Sequence, residues 1–160
     1  MKTPLTPSEA LSRAATYCAR AERAPSEVMS HLLAWGVDED TACSIVERLK
    51  KENYVDEDRY ARAYVRDKYR FARWGRLKIR QGLRAKHIDS AVIARALTEE
   101  IDEDTYRSHL TDLLRAKQRG TRARNGYDLR AKLYRFAASR GFESEVIAAC
   151  LDLPEDEDEF

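Results

Sequence analysis

The chain has 160 residues, 43% apolar and 36% charged, with 29 basic against 28 acidic side chains for a net charge of +1. That length admits one or two domains, no apolar run is long enough to span a bilayer, and six glycines with four prolines are too few for the turns of an all-β protein of this size. Cys18, Cys43 and Cys150 are far apart and odd in number, each at an apolar helix position, so they are expected as reduced core thiols of a cytoplasmic protein.

The N-terminal "MKTPLTPSEALSRAA" has no apolar h-region, so no secretory signal is expected in it. Thr6-Pro7-Ser8-Glu9 reads as a capping box with proline at the first helical position, opening a helix over 7–23 with Leu11, Ala14, Ala15 and Cys18 inward. A second helix is expected from Ser26, burying Val28, Leu32 and Leu33 and ending at Gly36 in a left-handed cap. Asp38 then caps a third helix carrying Ala42, Ile45, Val46 and Leu49.

This ending recurs. "LLAWGVDEDTACSIV" (32–46), "LRAKHIDSAVIARAL" (83–97) and "AASRGFESEVIAACL" (137–151) align with offsets of 51 and 54 residues. Gly36, His87 and Gly141 correspond, as do Val37, Ile88 and Phe142. Histidine tolerates a left-handed backbone better than most residues. Each hairpin follows another helix, at 7–23, 57–73 and about 104–117. The expected fold is therefore all-α, an elongated tandem array of three three-helix repeats over 7–52, 56–101 and 104–151. The stretch "RGTRARNGYD" (119–128) reads as a mobile loop. Residues 152–160, with six acids and no base, read as a disordered tail, in which "EDEDE" (155–159) either screens one of the basic blocks or is only a solubilising end.

The small net charge conceals blocks of −4 (1–58), +10 (59–86), −5 (87–114), +6 (115–151) and −6 (152–160). Within the first basic block, Arg59, Arg62, Arg66, Arg70 and Arg73 fall in one helical stripe about 80° wide. Tyr60, Ala61, Tyr64, Val65, Phe71 and Ala72 lie opposite, and Lys68 interrupts that apolar face. Like charges at such spacings repel by about 0.2–0.5 kcal/mol per pair. The stripe is either a solvated face or the contact to something anionic, and exposed arginines of either kind contribute little to folding. Arg76, Lys78, Arg80, Arg84 and Lys86 extend the block, and Arg119, Arg122 and Arg124 add a third group. Trp74 reads either as a core residue at a helix junction or as a base-stacking platform. A sequence-reading helix would want Asn, Gln or Ser among its arginines, and only Gln81 qualifies.

Nothing points to catalysis. His31, His87 and His109 are isolated, with His87 a turn residue, and there is no phosphate-loop, nucleophile-elbow or dinucleotide motif. The "DED" triplets at 38–40, 56–58 and 102–104 sit where helix N-termini favour negative charge. No metal and no cofactor is expected.

The stretch "NYVDEDRYARAYV" (53–65), followed by Trp74-Gly75 and by Ile79, Leu83, Lys86 and Ile88, resembles the RecX family. The matching pattern is Tyr-x-Asp, an acid pair, an Ala-x-Ala-Tyr helix and then Gly-x-x-x-Ile-x-x-x-Leu-x-x-Lys. Arg23-x-x-Ser26 with Leu32 and Gly36 resembles the family's first repeat, and "SRGFESEVI" (139–147) its third. The resemblance covers about 10–151. Gly82 departs from an expected acidic residue, loosening its helix by about 1 kcal/mol against alanine, and His87 departs from the usual glycine. The resemblance implies a non-enzymatic protein; beside it a cytoplasmic monomer with no membrane contact is expected. It implies binding to the RecA–single-stranded DNA filament and inhibition of RecA ATP hydrolysis, strand exchange and coprotease activity. The alternative is a stand-alone, sequence-nonspecific nucleic-acid-binding helical protein that acts without RecA.

Overall fold

The computed structural model describes residues 4–151, which are helical throughout, with no strand among the described residues. The helices are α1 (Pro7–Arg20), α2 (Pro25–Ala34), α3 (Glu39–Lys51), α4 (Glu57–Arg70), α5 (Arg76–Ala85), α6 (Ser90–Glu100), α7 (Glu103–Arg119), α8 (Gly126–Ser139) and α9 (Ser144–Leu151). Residues 152–160, and with them the expected acidic tail, lie outside the described residues.

Local chemistry sets the helix ends. The Thr6–Glu9 capping box forms in both directions, at 3.1 and 3.3 Å. Asp38, Asp102 and Asn125 cap α3, α7 and α8 through their side chains. Gly36, His87 and Gly141 all have left-handed φ, at 89°, 60° and 95°. Each donates to the carbonyl three residues back, and the apolar residue that follows donates to the carbonyl five back. These are Schellman closures, and Asn53, at φ 64°, makes a fourth at the end of α3. Val37, Ile88 and Phe142 are the buried residues that follow the repeat turns.

The chain divides into two compact units, one reaching Tyr64 and including Leu83–Ala96, the other comprising Val65–Gly82 and the residues from Leu97 on. In the first unit α1–α3 enclose Ala14, Val28, Leu32, Ala42, Val46 and Leu49. Full burial of one such leucine contributes about 1.5–3 kcal/mol. The start of α2 meets the turn after α5: Ser26 donates to the Lys86 carbonyl at 2.6 Å, and Glu27 pairs with Lys86 Nζ at 3.3 Å.

The second unit repeats this joint in tighter form. The Gly75 N–H donates to the Arg140 carbonyl at 2.7 Å and the Leu77 N–H to the Gly141 carbonyl at 2.9 Å. The first turn of α5 thus satisfies its orphan donors on the α8–α9 turn. A Cβ at Gly75 would lie 2.5 Å from backbone atoms of Gly141 and Phe142. That close approach gives Trp74-Gly75 its physical meaning.

Several sequence expectations change. Helix α4 ends at Arg70, not 73, and Phe71 is 82% exposed rather than on an apolar face. Leu33 is exposed, because the face that buries Val28 and Leu32 excludes a residue one step, or 100°, further on. Cys18 is buried, but Cys43 is exposed and Cys150 half-buried, so the three are not all core thiols. The connection expected over 119–128 shortens to 120–125, since Arg119 ends α7 and Asn125 already caps α8.

Candidate nucleic-acid and partner interface

The two basic blocks supply thirteen candidate residues, ten within 59–86 and three within 115–151, and the structure divides them by what they touch. Arg59 is committed within the first unit: its Nε lies 2.6 Å from Glu22, and its terminal nitrogen donates to the carbonyls of Asn53 and Tyr54. Arg62 is half-buried and also engaged. In the second unit Arg66 pairs with Glu100 at 3.0 Å, and that carboxylate side chain is only 15% exposed. Lys86 pairs with Glu27, and Arg124 sits 3.7 Å from Asp128. These acids all lie outside the 59–86 block, so part of the charge alternation is answered inside each folded unit.

Arg76 is the most deeply engaged. Its guanidinium lies 4.0 Å from the Tyr106 ring centre, 2.9 Å from Glu103 and 2.9 Å from Glu143, while its backbone N–H donates to the Tyr106 hydroxyl at 3.0 Å. The Nε–Glu143 contact is ionic, its geometry too bent for a hydrogen bond. Burial opposes the charge on Arg76, but the side-chain interaction of its guanidinium with Tyr106 and the Glu143 and Glu103 carboxylates outweigh it and raise its pKa. Arg76 is an architectural cation.

Trp74 is half-buried, with the ammonium groups of Lys68 and Lys78 at 4.7 and 4.6 Å from its ring centre. Lys68 thereby leaves the apolar face on which the helical wheel placed it, and the Trp74 ring is already in cation–π contact.

Arg70, Arg73, Arg80, Arg84, Arg119 and Arg122 have no carboxylate partner among the described residues. Arg70 and Arg73 line a cavity of about 290 Å³ with Tyr69, His109, Asp112, Leu113 and Phe142, and Asp112 forms no ion pair with either arginine. The His109 ring stacks on Tyr69 at 4.9 Å. Arg73 lies beyond the helix, at φ 58°, a conformation that costs a non-glycine residue about 1–2 kcal/mol. Arg84 belongs to the first unit and Arg70, Arg73 and Arg80 to the second.

Sequence reasoning missed Tyr106, Glu103 and Glu143, whose spacing carries no motif. It also missed a cluster on α1 and α2 in which Arg13 lies over Trp35 and Arg23 over Tyr17. The signal was there as i, i+4 pairs, Arg13 with Tyr17 and His31 with Trp35. Among the described residues no three His, Cys, Asp or Glu side chains gather as a metal ion would require, and no helix is long and apolar enough to cross a membrane.

Two family models match, the second three-helix domain of RecX at residues 56–97 and the third at 104–151. Among curated proteins, the chain is 32% identical over 139 residues to regulatory protein RecX of Xanthomonas axonopodis pv. citri, covering 87% of this chain and 83% of that one. It is 29% identical over 140 residues to that of Acinetobacter baylyi, covering 86% and 83%. Against the Geobacillus kaustophilus protein it is 30% identical over 146 residues, 89% of this chain but 53% of that longer one. The crystal structure of RecX from Lactobacillus salivarius shares the fold, with a TM-score of 0.81 at 21% identity over 91% of this chain and 94% of that one. A second crystal structure of regulatory protein RecX gives 0.80 at 23% identity, over 92% of this chain and 74% of that one.

Proposed function

The chain belongs to the RecX family of regulatory, non-enzymatic proteins, and from that premise we propose that it binds the RecA–single-stranded DNA filament and inhibits RecA ATP hydrolysis, strand exchange and coprotease activity. The proposal places it in the cytoplasm, as a monomer, with three-helix modules at 7–52, 56–101 and 104–151 as its working units.

One observation carries the reading. The fold provides carboxylates for Arg59, Arg66, Arg76 and Lys86, yet leaves Arg70, Arg73, Arg80 and Arg84 without one among the described residues. Solvated faces normally mix signs, and unanswered guanidinium forks suit phosphates and carboxylates alike. A RecA–DNA filament offers both. Arg119 and Arg122, beside the Asp128-paired Arg124, offer a further basic group around the α7–α8 connection.

The test is RecA ATPase on single-stranded DNA with increasing amounts of this protein. Inhibition below the concentrations at which the protein binds bare DNA supports the filament reading. Inhibition that only tracks coverage of the DNA supports the stand-alone nucleic-acid binder.

A further inference from the structure

The first repeat carries a second cationic face, and it differs in kind from the stripe. On α1, Arg13, Tyr17 and Arg20 recur at four and three residues, the spacing of one helical face. On α2, His31 and the capping Trp35 stand four apart. With Arg23 these six line an open depression of about 440 Å³. The planar groups form a ladder. The Arg13 guanidinium lies 4.4 Å from the Trp35 ring centre, Trp35 meets His31 edge-on at 5.9 Å, His31 stacks on Tyr17 at 4.1 Å, and Arg23 lies 3.9 Å over Tyr17.

No acidic side chain lines this depression, and among the described residues none of its three arginines has a carboxylate partner. This is notable in a block whose net charge is −4. The acids nearest in sequence are used elsewhere: Glu9 accepts the Thr6 N–H, Glu22 holds Arg59, and Glu27 holds Lys86. The His31 Nδ1 lies 3.0 Å from the Glu27 carbonyl, so Nδ1 carries the proton and Nε2 is left for another partner.

Guanidinium groups alternating with aromatic rings make the surface that tracks an unpaired strand. Phosphates meet the charges, and bases stack on flat faces whatever their sequence. A duplex keeps its bases stacked on each other and would use only the charges. An acidic peptide would likewise leave the rings idle.

We propose that this ladder is a single-stranded nucleic-acid site on the first repeat, with Arg13, Arg20 and Arg23 on phosphates and His31 and Trp35 on bases, Tyr17 backing the His31 ring between it and Arg23. It rests on the filament reading and deepens its DNA half, adding the stacking surface that the arginine stripe lacks.

The test titrates the full chain with oligo(dT) in a Trp74→Phe background, so that Trp35 is the only indole. Saturable quenching of Trp35 is expected. Arg13→Ala with Arg20→Ala should reduce the slope of log affinity against log salt by about 0.7 per lost contact. His31→Ala, at an exposed position, should weaken binding about 5- to 100-fold with the slope unchanged. Helical circular dichroism and melting temperature verify that each variant is folded. Wild-type affinity and slope in folded Arg13→Ala/Arg20→Ala would overturn the proposal, as would equal quenching by a polyglutamate peptide. Loss of RecA inhibition is read separately: a protein that binds oligo(dT) through the ladder yet leaves RecA ATPase untouched keeps this site and loses the filament reading.

Discussion

The Tyr106 hydroxyl donates to Glu143 Oε1 across 2.5 Å and accepts the Arg76 backbone N–H at 3.0 Å. Tyr106 is fully buried. Burial first, and then the hydrogen bond to Glu143, pushes its phenol pKa far above the ordinary value, which keeps the proton on the donor. One hydroxyl thus ties α7, the start of α5 and the turn before α9 together. The Tyr69 hydroxyl is the contrast: buried, with no partner among the described residues.

Tyr106→Phe leaves the Arg76 backbone N–H unanswered and takes one hydrogen bond from the Glu143 carboxylate, which keeps its ion pair with Arg76, and should destabilise the protein by about 1–3 kcal/mol. Tyr69→Phe removes an unsatisfied group and should be neutral or slightly stabilising. Thermal melts of the two single variants check this ordering, and equal losses would mean the hydroxyl bridge carries no stability.

Gly75 and Gly36 predict two different penalties for the same added methyl. At Gly75 the new Cβ meets backbone at 2.5 Å and cannot be accommodated by a side-chain shift. The expected cost is about 1–3 kcal/mol or more, with the α5 joint disturbed. At Gly36, φ is 89° and nothing lies within 4 Å, so Gly36→Ala should cost only the left-handed backbone, about 1–2 kcal/mol. Amide exchange separates them: Gly75→Ala should expose the Leu77 amide, while Gly36→Ala should leave it protected.

The repeat turns were legible because a residue tolerant of positive φ, followed by one apolar residue, is a local signature, and Gly36, His87 and Gly141 show it at near-constant spacing. The end of α4 was not, since Phe71 and Ala72 continue the apolar period and no glycine interrupts it before Gly75. The fate of the arginines was least legible. A helical wheel gives the direction of a side chain, but Glu22 and Glu100 reach Arg59 and Arg66 from 37 and 34 residues away. Block charges misled in the same way: the negative first block hides the all-positive depression between α1 and α2.

Stability should fall at both ends of the pH scale. Hydrogen bonds from Thr41 and Thr105 hold the carboxyls of Asp38 and Asp102 below their usual 3.8. The unfolded chain therefore binds those protons first, and the stability present above pH 3.8 is lost as pH falls through the folded values. Burial acts oppositely on the phenols: Tyr69 is pushed up to about 12, so its contribution is complete below pH 10 and is lost between 10 and 12. Melting temperature against pH should show both limbs. Asp38→Asn with Asp102→Asn, which keeps good caps, should flatten only the acid one.

Charge reversal within the stripe should give opposite results one helical turn apart. Arg66→Glu places a carboxylate beside Glu100, whose side chain is 15% exposed. It should cost about 1–3 kcal/mol, lowering the melting temperature by several degrees. Loss of RecA inhibition in that variant would therefore not identify a contact. Arg70→Glu with Arg73→Glu removes no carboxylate pair among the described residues, so its melting temperature should stay near wild type while inhibition of RecA ATPase falls. Replacing the same two residues by alanine then sorts the partner. A contact to phosphates reduces the log–log salt slope on single-stranded DNA by about 0.7 each, whereas a contact to RecA carboxylates leaves binding to bare DNA intact and weakens binding to the filament. The filament loss should exceed the DNA loss, because the two largest rings bordering the Arg70/Arg73 cavity, Tyr69 and Phe142, are buried, leaving only the smaller His109 imidazole exposed there to stack a base. Full inhibition by the Arg70→Glu/Arg73→Glu protein would mean that these arginines face only water.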